Sequence, residues 1–146
     1  YHDQLSPAAW QGDRMRNEVR VRLLEIAKLF VDYLDVGNFE VYDVVLTGSL
    51  ANYNWTEFSD FDLHVITDYR DLECDDLATA FYKAKKTIWN DRHDITIYGH
   101  EVELCVEKFS LSCPNISFNS RYCFNDVTSL LFLVTIPFLK PATEKF

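Results

Sequence analysis

The run Leu46-Thr47-Gly48-Ser49-Leu50-Ala51-Asn52-Tyr53-Asn54-Trp55-Thr56-Glu57-Phe58-Ser59-Asp60-Phe61-Asp62-Leu63-His64-Val65-Ile66 carries two signals side by side. A Gly-Ser pair ends one apolar segment, and ten residues later Asp60 opens the next. Asp60, Asp62 and His64 alternate there with Phe61, Leu63 and Val65. Side chains two apart on a strand share a face. One face is therefore apolar, and the other bears two carboxylates and an imidazole. Adjacent carboxylates repel unless a cation lies between them. The pattern predicts a metal site on the strand, with the Gly-Ser turn as a place for a phosphate.

The segments on either side predict helices and strands in alternation. Ser6-Pro7 reads as a helix start, with a short turn at Ala8-Ala9-Trp10 docked by its indole and broken at Gly12. Asp13 is placed as the cap of a helix over 14–34. Its stripe Val19, Leu23, Ile26, Ala27, Phe30 and Leu34 follows helical spacing, and Gly37-Asn38 stops it. Phe39 to Thr47 is rich in β-formers and reads as a strand. A short helix follows Gly48-Ser49, aiming its first N–H groups above the turn. The second strand spans Asp60 to Ile66. Leu72 to Asn90 returns to helical period, with Leu77, Phe81, Ala84, Ile88 and Trp89 as its apolar stripe. A hairpin follows, with arms 93–98 and 101–107 around a Gly99-His100 turn of type II′. On its second arm Val102, Leu104 and Val106 face the core, while Glu101, Glu103, Cys105 and Glu107 face away.

Composition narrows the function classes. The 146 residues make one domain with room for a core. A net charge of -9 repels a phosphate backbone, so a long polynucleotide is a poor partner, whereas a metal-bound nucleotide is compatible. Cys74, Cys105, Cys113 and Cys123 form no C-x-x-C pair and read as free thiols of a reducing compartment. The longest apolar run, Val127 to Leu139, is too short for a membrane span, and no signal-peptide pattern opens the chain. The expectation is a soluble, cytoplasmic protein. Residues 1–108 read as the core. Residues 109–146 read as an apolar extension of the same domain, of no clear pattern, that is a candidate surface for homo-oligomers. They carry Arg121, Lys140 and Lys145 against Asp126 and Glu144.

Gly48-Ser49, the ten-residue spacer, Asp60-Phe61-Asp62 and the later Val102-Glu103-Leu104 resemble the nucleotidyltransferase superfamily of DNA polymerase β type. The likeness covers about Val41 to Glu107 and is nearest to small stand-alone phage and bacterial domains. It implies an α+β fold, a mixed sheet with helices on one side. It also implies transfer of an NMP from an NTP, ATP among them, to a hydroxyl of a small-molecule or protein acceptor, with pyrophosphate released. Asp60, Asp62 and Glu103 would be the catalytic acids and the ligands of Mg²⁺ or Mn²⁺. Gly48 and Ser49 would receive the triphosphate.

The remaining assignments stay open at this level. Glu101 and Glu107 share the face of Glu103. His64 can contact a phosphate, tune the metal carboxylates, or be a partly buried polar residue on an open sheet face. Asn52 and Asn54 can bond phosphate or ribose, or can cap a turn. Tyr53 and Trp55 can stack a base or pack at the rim. Lys83, Lys85, Lys86 and Arg121 compete for the role of triphosphate-binding cation. The alternative function is a non-catalytic relative that binds a nucleotide or a partner.

Overall fold

The computed structural model describes residues 1–37, 39–67, 75–108 and the backbone of 134–136. A small ribbon opens the chain, formed by β1 (Trp10–Gln11) and β2 (Arg14–Met15). The long helix α1 (Asn17–Leu34) follows. The sheet begins with β3 (Asp43–Thr47) and, after a single 3-10 turn at Ser49–Ala51, β4 (Phe61–Thr67). Helix α2 (Asp75–Arg92) leads to β5 (Thr96–Ile97) and β6 (His100–Lys108), and β7 (Val134–Ile136) completes the set. The five-stranded sheet has the order β5-β6-β4-β3-β7. β4 and β6 are parallel, and the other neighbours are antiparallel. A mixed sheet with helices is the α+β, polymerase β-like architecture that the resemblance implied.

Alternation divides the sheet into two faces. Val44 and Leu46, Phe61, Leu63 and Val65, and Val102, Leu104 and Val106 join the core with α1 and α2. The six predicted residues of α1 are its buried residues. Burying side chains of this size contributes roughly 1.5–3 kcal/mol each. That outweighs the missing side-chain cap, a feature worth about 1 kcal/mol. Indeed Arg16, not Asp13, is the N-cap, and it makes no capping side-chain bond. Asp13 lies instead between β1 and β2, in the turn that brings Trp10 opposite Met15. The indole is docked as expected: Trp10 is buried and its Nε1–H donates to Leu50 O at 2.6 Å. The helix ends at Leu34, as expected, and its C-cap Asp35 lies in left-handed backbone (φ 53°).

Two further expectations shift. The buried side of α2 is Ala78, Tyr82 and Trp89, while Leu77 and Ile88 are exposed. Tyr82 meets Phe39 edge-on, and Trp89 meets Phe30 and Tyr33. Trp89 is buried as expected, while Ala78 and Tyr82 take the places expected of Leu77 and Phe81, a shift of one residue along the first turns. The hairpin turn is Tyr98-Gly99, with φ of 50° and 83°. Two positive φ values make it type I′, not II′, and they move His100 into β6. The expectations on Asn38, Cys74, Cys113, Cys123 and Arg121 lie outside the described residues. So does most of the extension from residue 109.

Asn90 of α2 fixes the edge of β6. Its Nδ2–H donates to Leu104 O, and its Oδ1 accepts from Leu104 N–H, both at 3.1 Å. A side-chain amide thus stands in for a strand residue. We predict that Asn90→Ala lowers stability by about 1–3 kcal/mol, since two backbone groups lose their partners. Urea denaturation, with amide exchange at Leu104, measures it. An unchanged midpoint and unchanged exchange contradict the edge role.

Candidate active site

The second face of the sheet carries the polar residues in rows. Thr47 on β3, Asp62 on β4 and Glu103 on β6 are direct strand partners and form one row. Val45, His64 and Cys105 form the next. Asp60 precedes β4 by one residue. The row places Asp62 and Glu103 on neighbouring parallel strands.

Gly48 closes this row at the end of β3. Its backbone has φ 75° and ψ -165°, a region essentially confined to glycine. There is also no room for a side chain. A Cβ at this position would overlap Oδ2 of Asp62 and stand 2.9 Å from its Cγ. The glycine therefore does two things: it turns the chain, and it lets the Asp62 carboxylate lie against bare backbone. The next N–H groups follow at once. The first bond of the 3-10 turn is Ala51 N–H to Gly48 O, at 3.2 Å, which leaves the N–H groups of Ser49 and Leu50 outside the helical bonding.

The loop from Asn52 to Ser59 is tied by Ser59, which the sequence reading passed over. Ser59 Oγ accepts from Ser49 Oγ–H at 2.6 Å and from Thr56 N–H at 2.8 Å. Ser59 O is bonded by His100 Nδ1 at 2.6 Å. His100 is buried and meets Phe61 edge-on. The one available signal was position: Ser59 directly precedes Asp60, ten residues after Ser49. Asn52 is buried and bonds locally, its Oδ1 accepting from Tyr53 N–H at 2.7 Å. Trp55 stacks on His2 with ring centres 3.8 Å apart, and Tyr53 packs on the core.

The electrostatics centre on Asp62. Burial raises its pKa above the ordinary carboxylate value, and the nearby Glu103 and Asp60 add to the rise. His64 and Lys86 oppose it. Lys86 is thus the lysine that reaches this face, its Nζ 3.9 Å from Cys105 Sγ. Lys85 lies over the rings of Tyr33 and Phe81 instead. For His64, burial works against the charged form. Hydrogen bonds to Cys105 and Glu107 overcome it and push the imidazole up to about 9.

The three predicted acids share a neighbourhood. Among the described residues, however, the tight cluster of metal-ligand atoms is His64, Cys105 and Glu107. Like charge disfavours close approach of Asp60, Asp62 and Glu103 without a cation. Their donor set of hard carboxylate oxygens suits Mg²⁺ or Mn²⁺. A divalent cation would offset the charge that raises Asp62, so the donor chemistry of the three acids suits such an ion although their ligand atoms are not drawn into one cluster.

The family described as "Nucleotidyltransferase domain" matches residues 24–126, more than half of the chain. The chain belongs to that family, and nucleotidyl transfer is the kind of chemistry it points to. The family generally uses divalent metals and an NTP. No curated protein and no solved structure matches the chain. Among the described residues no helix is long and apolar enough to cross a membrane.

Two outcomes follow for this row. Gly48→Ala should displace the Asp62 carboxylate and strain the turn, with a stability loss of about 1–3 kcal/mol. Chemical denaturation of the variant checks this, and wild-type stability would contradict it. Asp62→Asn should act in the opposite sense. A carboxyl whose pKa rises on folding binds protons more readily folded than unfolded, so its ionisation costs stability as pH rises. Without divalent metal at pH 7.5, the variant should be more stable by roughly 0.5–1 kcal/mol, the scale of one like-charge strand pair. A less stable variant contradicts the repulsion.

Proposed function

We propose that this chain transfers an NMP from an NTP to a hydroxyl of a small-molecule or protein acceptor, in a reaction that requires Mg²⁺ or Mn²⁺. The observation that carries this reading is Gly48 set against Asp62, in one row with Glu103. The acceptor oxygen forms the new bond to the α-phosphorus. The α–β bridging P–O bond breaks, pyrophosphate leaves with the electron pair, and the hydroxyl proton passes to solvent.

Asp60, Asp62 and Glu103 would hold the metal. When bound, such an ion neutralises triphosphate charge and lowers the pKa of the acceptor hydroxyl. The other roles belong to the chain itself. Bare backbone at Gly48 admits the β/γ-phosphates, and the N–H groups of Ser49 and Leu50 stand next to it. Ser49 is held by Ser59, so its hydroxyl serves first to fix the loop. Asn52 shapes the same turn from within. Lys86 is the preferred triphosphate cation, because its charge is felt at Asp62. His64, one row away, adds positive charge to an acidic face. The net charge of -9 supports a small or protein acceptor over a long nucleic acid. The assigned setting is the cytoplasm.

The second reading, a nucleotide-binding relative without turnover, draws on the exposure of Glu103. Incubating the purified chain with each labelled NTP, Mg²⁺ and a mixed pool of acceptors separates the two. We expect pyrophosphate release in wild type and a fall of at least about 100-fold in Asp62→Asn and Glu103→Gln. Nucleotide binding without release favours the second reading. A folded protein that binds no NTP overturns both.

A further inference from the structure

One row along the sheet from Asp62 and Glu103, three unlike side chains converge. His64 Nδ1 lies 3.4 Å from Glu107 Oε1, and Cys105 Sγ lies 3.7 Å from the same oxygen. Ligand atoms of all three fall within 4.8 Å of one another. The nucleotidyl-transfer reading uses neither Cys105 nor Glu107. A zinc-class ion binds imidazole, thiolate and carboxylate at about 2.0–2.3 Å, which at tetrahedral angles sets donor spacings of roughly 3.3–3.6 Å. The two measured separations already lie close to that range. Mg²⁺ prefers oxygen, so this trio selects a different class of ion from the three acids.

We propose that His64, Cys105 and Glu107 form a second metal site, for a thiophilic divalent cation such as Zn²⁺. Nδ1, Sγ and Oε1 supply three ligands, and water supplies the fourth. A neutral imidazole, a thiolate and a carboxylate carry two negative charges, which the ion balances. Coordination displaces the thiol proton of Cys105 and the proton that His64 carries without the ion. His64 and Cys105 are direct partners on parallel β4 and β6, so two ligands are set by strand register. The His64 side chain is only 13% exposed, which shields the ion from water on one side. Lys86 Nζ, 3.9 Å from Sγ, can donate to the thiolate. Bound there, the ion pins β4 to β6 about 7 Å from the Asp62–Glu103 row. It thereby braces the two strands that carry those acids.

The test titrates the full chain, reduced and metal-stripped, with Co²⁺ alone and then with Zn²⁺. We expect one equivalent of Co²⁺ with a thiolate-to-cobalt charge-transfer band, displaced by Zn²⁺. Cys105→Ala should abolish the band, and Glu107→Gln should weaken binding at least tenfold while keeping the thiolate. Asp62→Asn should leave the thiolate-to-cobalt band unchanged, so the result does not depend on nucleotidyl transfer. A band that persists in Cys105→Ala overturns the site, because another cysteine then supplies the thiolate. So does unaltered affinity in Glu107→Gln, the decisive variant should Cys105→Ala fail to fold. Binding only at millimolar Co²⁺, without the band, overturns it as well.

Discussion

The site depends on one steric fact: Gly48 has no side chain, and the Asp62 carboxylate occupies the space where one would be. The glycine sits at the end of β3, and the aspartate faces it from β4. Everything nearby serves to hold that approach. Trp10 clamps Leu50 beyond the turn, Ser59 ties the loop back to Ser49, and His100 anchors Ser59 from the start of β6. The contact is local in space but joins segments fourteen residues apart. It also leaves the carboxylate against backbone, where phosphate oxygens can meet N–H donors.

Around that contact the protein tolerates electrostatic conflict. Asp62 is raised by burial and by two other acids, with Lys86 and His64 as partial relief. Folding alone gives no reason to gather carboxylates on a half-buried strand. An apolar replacement would fit the sheet better. Such local departures from stability concentrate where chemistry is done. The opposite face offers the contrast, since its residues are plainly hydrophobic and join the helices. One strand thus divides its duties by alternation: Phe61, Leu63 and Val65 hold the fold, and Asp62 and His64 face the site.

That division was legible in the sequence because a period of two is a local property. The acids of 60–62 and the six buried residues of α1 could be read from spacing, whereas Glu103 was singled out from its neighbours Glu101 and Glu107 only by the family resemblance. The misreadings share a different cause. The α2 stripe found Trp89 but placed Leu77 and Ile88 inside, whereas Ala78 and Tyr82 took the buried side, Tyr82 through a ring contact with Phe39, remote in sequence. His100 was assigned to a turn, yet its partner is Ser59, forty-one residues away. The four candidate cations could not be separated by pattern. Only the tertiary arrangement brings Lys86, and not Lys85, toward Asp62. Residues whose role is set by a distant partner carry no periodic signal.

The most direct measurement is crystallography of the chain with a non-hydrolysable NTP and Mn²⁺, located by anomalous scattering. The account predicts a manganese peak between Asp62 and Glu103, with the triphosphate lying over Gly48 and Lys86 reaching its oxygens. A nucleotide bound elsewhere, or manganese absent from that row while the nucleotide is present, would contradict it.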